Sequence, residues 1–348
     1  MKKKPIIKSL SVCAAIVIVA IAGYTAYRYY RLMYSNLHAK DNAHHEVFIY
    51  PDTNIDTLLN HIHQLYDIDS EHALQSDIKR LKLTELKTGH YTIPAQCANY
   101  QLIQMFKFGQ QTPVRLTFNN IRTIEQLSSK LSRQLLADSL AFDTMLRDTA
   151  FLAAHGLTPP TAMMYFLPNS YEVYWNTSAE RIFERMQNEY KHFWNEKRRE
   201  KAEELGLTAF EISTLASIVE EENTGHPDEW NRIAGVYLNR LQRNIPLQAD
   251  PTVKYAVGDF TLRRVLTKHL QTNSPYNTYM VTGLPPGPIR LPSPRGIDAV
   301  LNAEKHDYLF MCADWRFNGY HVFATTSAQH ARNAHRYQQE LNKRRIYK

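Results

Sequence analysis

Three cysteines in 348 residues are too few for a disulfide framework. Cys13 sits in an apolar run, and Cys97 and Cys312 read as small buried side chains. The chain has no glycine-rich phosphate loop, no G-x-S-x-G turn and no H-E-x-x-H helix, so no cofactor and no metal are expected. His61 and His63 stand two apart on a helical pattern and cannot face one another, which makes them a solvated helix face rather than a metal pair. Internal repeats and low-complexity segments are absent. The basic clusters at 196–201 and 342–348 lack the context of a nucleic-acid module and read as exposed helix faces, so no nucleic-acid partner is expected.

What is present is ordinary globular composition, 44% hydrophobic and 22% charged, long enough for more than one compact unit. An excess of 41 Lys+Arg over 34 Asp+Glu suits an anionic neighbour without choosing among membrane, wall polymer and nucleic acid. The strongest local signal is Ser9–Tyr27 (SLSVCAAIVIVAIAGYTAY), an uncharged run long enough for a membrane-spanning helix. Lys2, Lys3, Lys4 and Lys8 precede it, which places the N-terminus in the cytoplasm and everything after about residue 35 outside the membrane. Tyr24, Tyr27, Tyr29 and Tyr30 resemble an interfacial belt rather than a cleavage site, so an uncleaved anchor is expected in place of a signal peptide.

Residues 28–45 are polar and aperiodic and read as a tether. Beyond them Glu46–Tyr50 is strand-like, Asn54 caps a helix carrying Ile55, Leu58, Leu59 and Ile62, a second helix covers Ser70–Leu83, and Gly89–Ile93 is a strand. Asn99 is placed to cap a third helix before a last strand at Arg115–Phe118. Residues 46–118 thus have the size of a small carbohydrate-binding module. Residues 119–159 form a helical connection, and 160–348 a mostly helical region with irregular, proline-rich loops. The expected class is α+β.

The chemistry concentrates in Glu211–Asn223, EISTLASIVEEEN. On a wheel of about 100° per residue, Ile212, Leu215, Ala216 and Val219 form one apolar face. Glu220 flanks that face on one side and Glu222 on the other, while Glu221 points away to solvent. A carboxyl at the border of an apolar face is partly dehydrated, which moves its pKa towards the range of a general acid. The wheel leaves Glu220 and Glu222 open. A stripe of Trp230, Ile233, Ala234, Tyr237 and Leu241 follows and reads as core, then a loop LQADPTVKYAVG holding Gln248, Asp250 and Thr252.

SIVEEE, Asn239–Arg240, LQADPTV, YNTY, GLPPGPI and the closing His321, Phe323 and His330 occur in an order that resembles the YceG-like endolytic murein transglycosylases. The resemblance covers roughly 160–345, and more weakly the small N-terminal unit, which is similar to the LysM-like subdomain of those proteins. It implies cleavage of the MurNAc–GlcNAc β-1,4 bond inside nascent glycan strands to leave 1,6-anhydroMurNAc ends. It also implies peptidoglycan strands as substrate, the cytoplasmic membrane as anchor and peptidoglycan synthases as candidate partners. The family's catalytic glutamate is matched to Glu220; Gln248, Asp250, Thr252, Tyr276, Asn277 and Thr278 become candidate sugar contacts. The chain departs from the family at MMYFLPNSY, where Met163 stands in place of an acid and Asn169 in place of Asp. Two other readings are kept: a muramidase that adds water through a second carboxylate, for which Glu222 and Asp250 are candidates, and a non-catalytic glycan-binding scaffold.

Overall fold

The computed structural model describes residues 4–262 and 264–344, with side chains described from residue 14 onward except at 31 and 263. The fold is mixed α+β and divides into two compact units, one running to Val114 and including Glu172–Asn176, the other Arg115–Tyr171 with Thr177 onward.

The first unit opens on α1 (Lys4–Met33). Among the described residues no helix is long and apolar enough to cross a membrane, and Ser9–Cys13 of the expected span have side chains outside the described residues. The stretch read as a tether instead contains β1 (Ser35–Ala39). Leu37 of this strand is fully buried, and the strand pairs antiparallel with β3 (Tyr66–Ile68) and β5 (Gln96–Ala98). Its partners lie far along the chain, so local periodicity could not reveal it. Between them β2 (His45–Ile49) pairs antiparallel with β4 (Gly89–Ile93), with α2 (Ile55–Leu65) and α3 (Glu71–Arg80) intervening. Asn54 caps α2 by accepting from the Thr57 amide, and Ser70 caps α3 through Ala73. Leu58, Leu59 and Ile62 on α2 join Leu74 of α3, Val47, Ile49, Tyr91 and Ile93 in one core. The third helix, α4 (Asn99–Phe108), begins at Asn99 rather than after it. Asn99 is buried and bonds Asp77 and Asn36 instead of capping, because those partners satisfy its amide more fully than one backbone amide would.

Strand β6 (Val114–Phe118) pairs with β7 (Asn169–Val173), and α5 (Ile124–Ser132), α6 (Ser139–Arg147) and α7 (Thr149–Ala154) of the second unit lie between them in sequence. Then come α8 (Ala179–Phe193), α9 (Glu196–Glu204), α10 (Ala209–Glu222) and α11 (Trp230–Gln242). The unit closes with α12 (Asp250–Val257), α13 (Thr267–Leu270), α14 (Pro294–Leu301), the hairpin of β8 (Phe310–Ala313) and β9 (His321–Ala324), and α15 (Ser327–Lys343). Of the basic clusters, 196–201 lies on α9, where Arg198 reaches across to Asp298 at 2.8 Å, and 345–348 lie outside the described residues.

Helix α10 is central. Its expected apolar face is fully buried, but so are Ser213, Ser217 and Ile218, because α11, α12 and α14 pack around it. The serines satisfy themselves on the preceding turn, Ser213 Oγ donating to the Ala209 carbonyl and Ser217 Oγ to that of Thr214. Thr208 and Glu211 form a capping box at its start. Its last turn carries the three glutamates.

Candidate active site

The three glutamates meet three different environments. Glu221 does not face solvent: Arg122 and Arg290 each bond it at 2.7 Å. Arg122 comes from 99 residues earlier, which no helical wheel can foresee. Glu220 is 3% exposed, and its Oε1 accepts from the Ser293 amide at 2.7 Å and the Ser293 hydroxyl at 2.6 Å. Arg290 stands 3.6 Å from its other oxygen. Burial raises the Glu220 pKa against the lowering pull of Ser293 and Arg290. Ser293 is the N-cap of α14, so Glu220 is tied to a helix start and to an arginine. Gly296 completes the fit, since a Cβ there would stand 2.0 Å from Glu220 Oε1.

Glu222 is the glutamate that opens on a cleft. A cavity of about 310 Å³ is lined by Glu222, Tyr237 and Arg240 from α10 and α11, and by Gln248 and Asp250 at the start of α12. Tyr279, the β8 residues Phe310–Ala313, His321 and His330 complete its walls. Glu220 does not line it. Burial pushes the Glu222 carboxyl up to about 7, although the Tyr237 hydrogen bond and the nearness of His321 pull it down. The Tyr237 hydroxyl donates to Glu222 Oε1. Tyr237 sits on the α11 stripe read as core, so its ring is buried while its oxygen reaches the cleft; burial holds its own pKa well above the ordinary value. An acid with one oxygen accepting from a phenol carries its proton on the other.

Opposite Glu222, the loop after α11 is held by Arg240. Its guanidinium, 6% exposed, donates to the carbonyls of Pro246 and Leu309 at 2.9 and 3.0 Å and to Gln248 Oε1 at 2.5 Å. Gln248 adopts φ +53°, an uncommon conformation for a side-chain-bearing residue, and its carboxamide lines the cleft. Asp250 is not in a loop as expected but is the first residue of α12, with Pro251 behind it and Gly258 in the left-handed conformation ending the helix. Its Oδ1 accepts from the Tyr279 hydroxyl at 2.7 Å.

The remaining expected contacts do not line this cleft. Thr252 is fully buried, donating to the Ala249 carbonyl at 2.6 Å and sharing a 2.8 Å bond with the Thr278 hydroxyl. Thr278, also fully buried, accepts from the Ala249 amide at 3.0 Å. Asn277 spans its own loop, its amide donating to the Leu270 and Thr272 carbonyls. Together they staple the 272–279 loop to the start of α12 and set where Gln248, Asp250 and Tyr279 stand. Tyr276 lies against Tyr255, with ring centroids 4.6 Å apart, and lines a different cavity of about 210 Å³ together with Met163. Asn169 opens β7 and is exposed.

Sequence reasoning passed over Tyr237, Arg240 and Tyr279 as cleft residues. The signal was available for the first two: a hydroxyl and a guanidinium three residues apart on an otherwise apolar stripe need buried partners. Cys312, expected to be buried, is half-buried in the cleft wall, while Cys97 is buried as expected.

A family model described as the YceG-like family matches residues 47–336. An endolytic murein transglycosylase of Bacillus subtilis (strain 168) is 41% identical over 138 residues, 40% of this chain and 37% of that protein. One of Streptococcus pneumoniae serotype 2 (strain D39 / NCTC 7466) is 28% identical over 287 residues, 72% of this chain and 50% of that protein. The chain thus spans half or less of the length of these curated relatives. The crystal structure of a putative YceG-like protein from Listeria monocytogenes superposes with a TM-score of 0.57 at 26% identity, covering 83% of this chain and 98% of that one.

Proposed function

The chain belongs to the YceG-like family, and from that premise we propose that it is an endolytic murein transglycosylase with Glu222 as its proton-transfer group. One observation carries the assignment. Of the two glutamates the helical wheel left open, Glu222 lines the cleft, with its carboxyl near 7, whereas Glu220 is bound by Ser293 and Arg290 outside it. The match of the family's catalytic glutamate to Glu220 is therefore replaced by Glu222.

An ordinary glycosidase uses two carboxyl groups, one to protonate the leaving oxygen and one to activate water or attack the sugar. A transglycosylase needs no activated water, because the substrate's C6 hydroxyl attacks C1. Neutral Glu222 gives its proton to the glycosidic oxygen as the C1–O bond breaks. The C6 oxygen then bonds to C1, and its proton returns to the Glu222 carboxylate, which restores the acid. A pKa near 7 keeps a useful fraction protonated at neutral pH, and the Tyr237 hydroxyl steadies the carboxylate between the two transfers. Gln248 and Asp250 line the same cleft, which supports a role for both in bonding the sugar or its acetamido group.

A second reading, hydrolysis, draws on the Asp250 carboxylate in the same cleft. Mass spectrometry of digested peptidoglycan separates the two. Anhydro ends support the transglycosylase, and reducing ends support hydrolysis. A scaffold without activity leaves the strands uncut.

The same proposal extends to the first unit and to the N-terminus. The antiparallel β2–β4 pair with α2 and α3 between supports a LysM-like subdomain over residues 46–118 that holds glycan. The run Ser9–Tyr27 within α1, with Ile16, Val17, Ile18 and Val19 more than half exposed, supports a single-pass anchor in the cytoplasmic membrane with the cleft outside, near peptidoglycan synthases.

A further inference from the structure

A second proton group stands in the cleft wall. His321 begins β9, lines the cleft and is 15% exposed at its side chain. Its Nδ1 is bonded at 2.7 Å to Glu229 Oε2, and its backbone amide donates to Glu229 Oε1 at 2.9 Å. Glu229 is 5% exposed and is also bonded by Asn223 Nδ2 at 2.8 Å, while Asn223's carbonyl is held by the Trp230 indole at 2.8 Å. Burial alone would raise the Glu229 carboxyl, but the bonds from His321 and Asn223 outweigh it and hold the pKa below the ordinary value.

The chemistry of this pair fixes a tautomer. A carboxylate only accepts hydrogen bonds, so Nδ1 carries the proton, and in the neutral ring Nε2 carries the lone pair. Among the described residues no group bonds Nε2. A histidine gripped on one nitrogen by a buried carboxylate and open on the other is the arrangement of a general base. Nothing in the stability of the hairpin calls for it, since Glu229 already satisfies the His321 backbone amide.

We propose that His321 is a further catalytic residue, and Glu229 its positioning residue: His321 Nε2 takes the C6-hydroxyl proton as that oxygen bonds to C1, then passes it to Glu222. This rests on the transglycosylase reading and deepens it. The balance is closed. The O6–H bond breaks as Nε2–H forms, C1–O6 forms as the C1–O4 bond is lost to the proton given by Glu222, and the imidazolium returns its proton to the carboxylate. The relay explains how a carboxylate engaged with the departing sugar on one side recovers a proton from an oxygen on the reacting ring.

The test uses the full chain on purified glycan strands, with anhydro ends counted by mass spectrometry against time. His321→Ala is expected to lose about 10²- to 10³-fold in kcat with little change in KM, and added imidazole to restore at least about tenfold of it. Glu229→Gln puts an amide donor against either the His321 ring or its backbone amide, and is expected to lower kcat about 10- to 100-fold with the fold intact by near-ultraviolet circular dichroism. His321→Gln, which keeps a polar side chain on the strand, is expected to match His321→Ala. Full kcat in either His321 variant overturns the relay. So does a loss that imidazole does not rescue in a folded variant, because a packing role gives that result. Wild-type protein that leaves reducing ends or uncut strands fails the transglycosylase reading itself, a result the variants cannot mimic.

Discussion

Replacing Glu222 by Gln should abolish cleavage and, at the same time, make the protein more stable at neutral and alkaline pH. The ordinary glutamate value of 4.5 applies to the unfolded chain, and the folded value is about 7. Between those two pH values the folded state keeps a proton that the unfolded state has released. Stability therefore falls as pH rises from about 4.5 to about 7 and is level above it. At about 1.4 kcal/mol per pH decade the wild type loses about 3 kcal/mol over that window, somewhat less where cleft water screens the carboxylate. Glutamine cannot titrate, and its carbonyl still accepts from Tyr237, so the variant escapes the loss. Urea unfolding at pH 4, 6 and 8 followed by fluorescence of the buried Trp194 and Trp230 measures it. The gap between variant and wild type should be small at pH 4 and grow by about 3 kcal/mol at pH 8. A gap that stays constant with pH, or shrinks, refutes the argument that burial governs this carboxyl.

Gly296→Ala forces a Cβ onto Glu220 Oε1, which Ser293 pins in place, and should cost about 1–3 kcal/mol in urea unfolding. Asn277→Ala leaves the Leu270 and Thr272 carbonyls without their amide donor; Tm should fall, with a loss of about 1–3 kcal/mol, while the anhydro product of the folded fraction is unchanged. Asp250→Asn keeps the Tyr279 bond through its carbonyl and should still yield anhydro ends, with KM raised; a switch away from cutting altogether would make Asp250 part of the chemistry.

Much of the fold was legible because its elements are local. Asn54 and Ser70 announce α2 and α3 through their caps, and the apolar spacing of Leu58, Leu59 and Ile62 announces the buried face. What escaped was non-local. β1 is a strand only because β3 and β5 flank it, and Glu221 is paired rather than free in solvent only because Arg122 arrives from far upstream and Arg290 from downstream. The start of α12 was misread as a loop although Pro251 and Gly258 mark its two ends. In the site, periodicity brought the choice down to two carboxyls. The decision between them depends on Ser293, 73 residues beyond Glu220, which ties that glutamate to the N-cap of α14 and away from the cleft. The threonines and Asn277 of the shared motifs are chemically plausible sugar contacts, yet their polar atoms face one another and the backbone.

The central claim is that the cleft glutamate, not its neighbour two residues earlier, moves the proton. Rates of glycan cleavage by Glu222→Gln and Glu220→Gln, measured side by side on the same strands, test it most directly. The account expects no anhydro ends from Glu222→Gln, and from Glu220→Gln a less stable protein that still releases them. Cleavage by the first variant, or its loss only in a well-folded sample of the second, contradicts it.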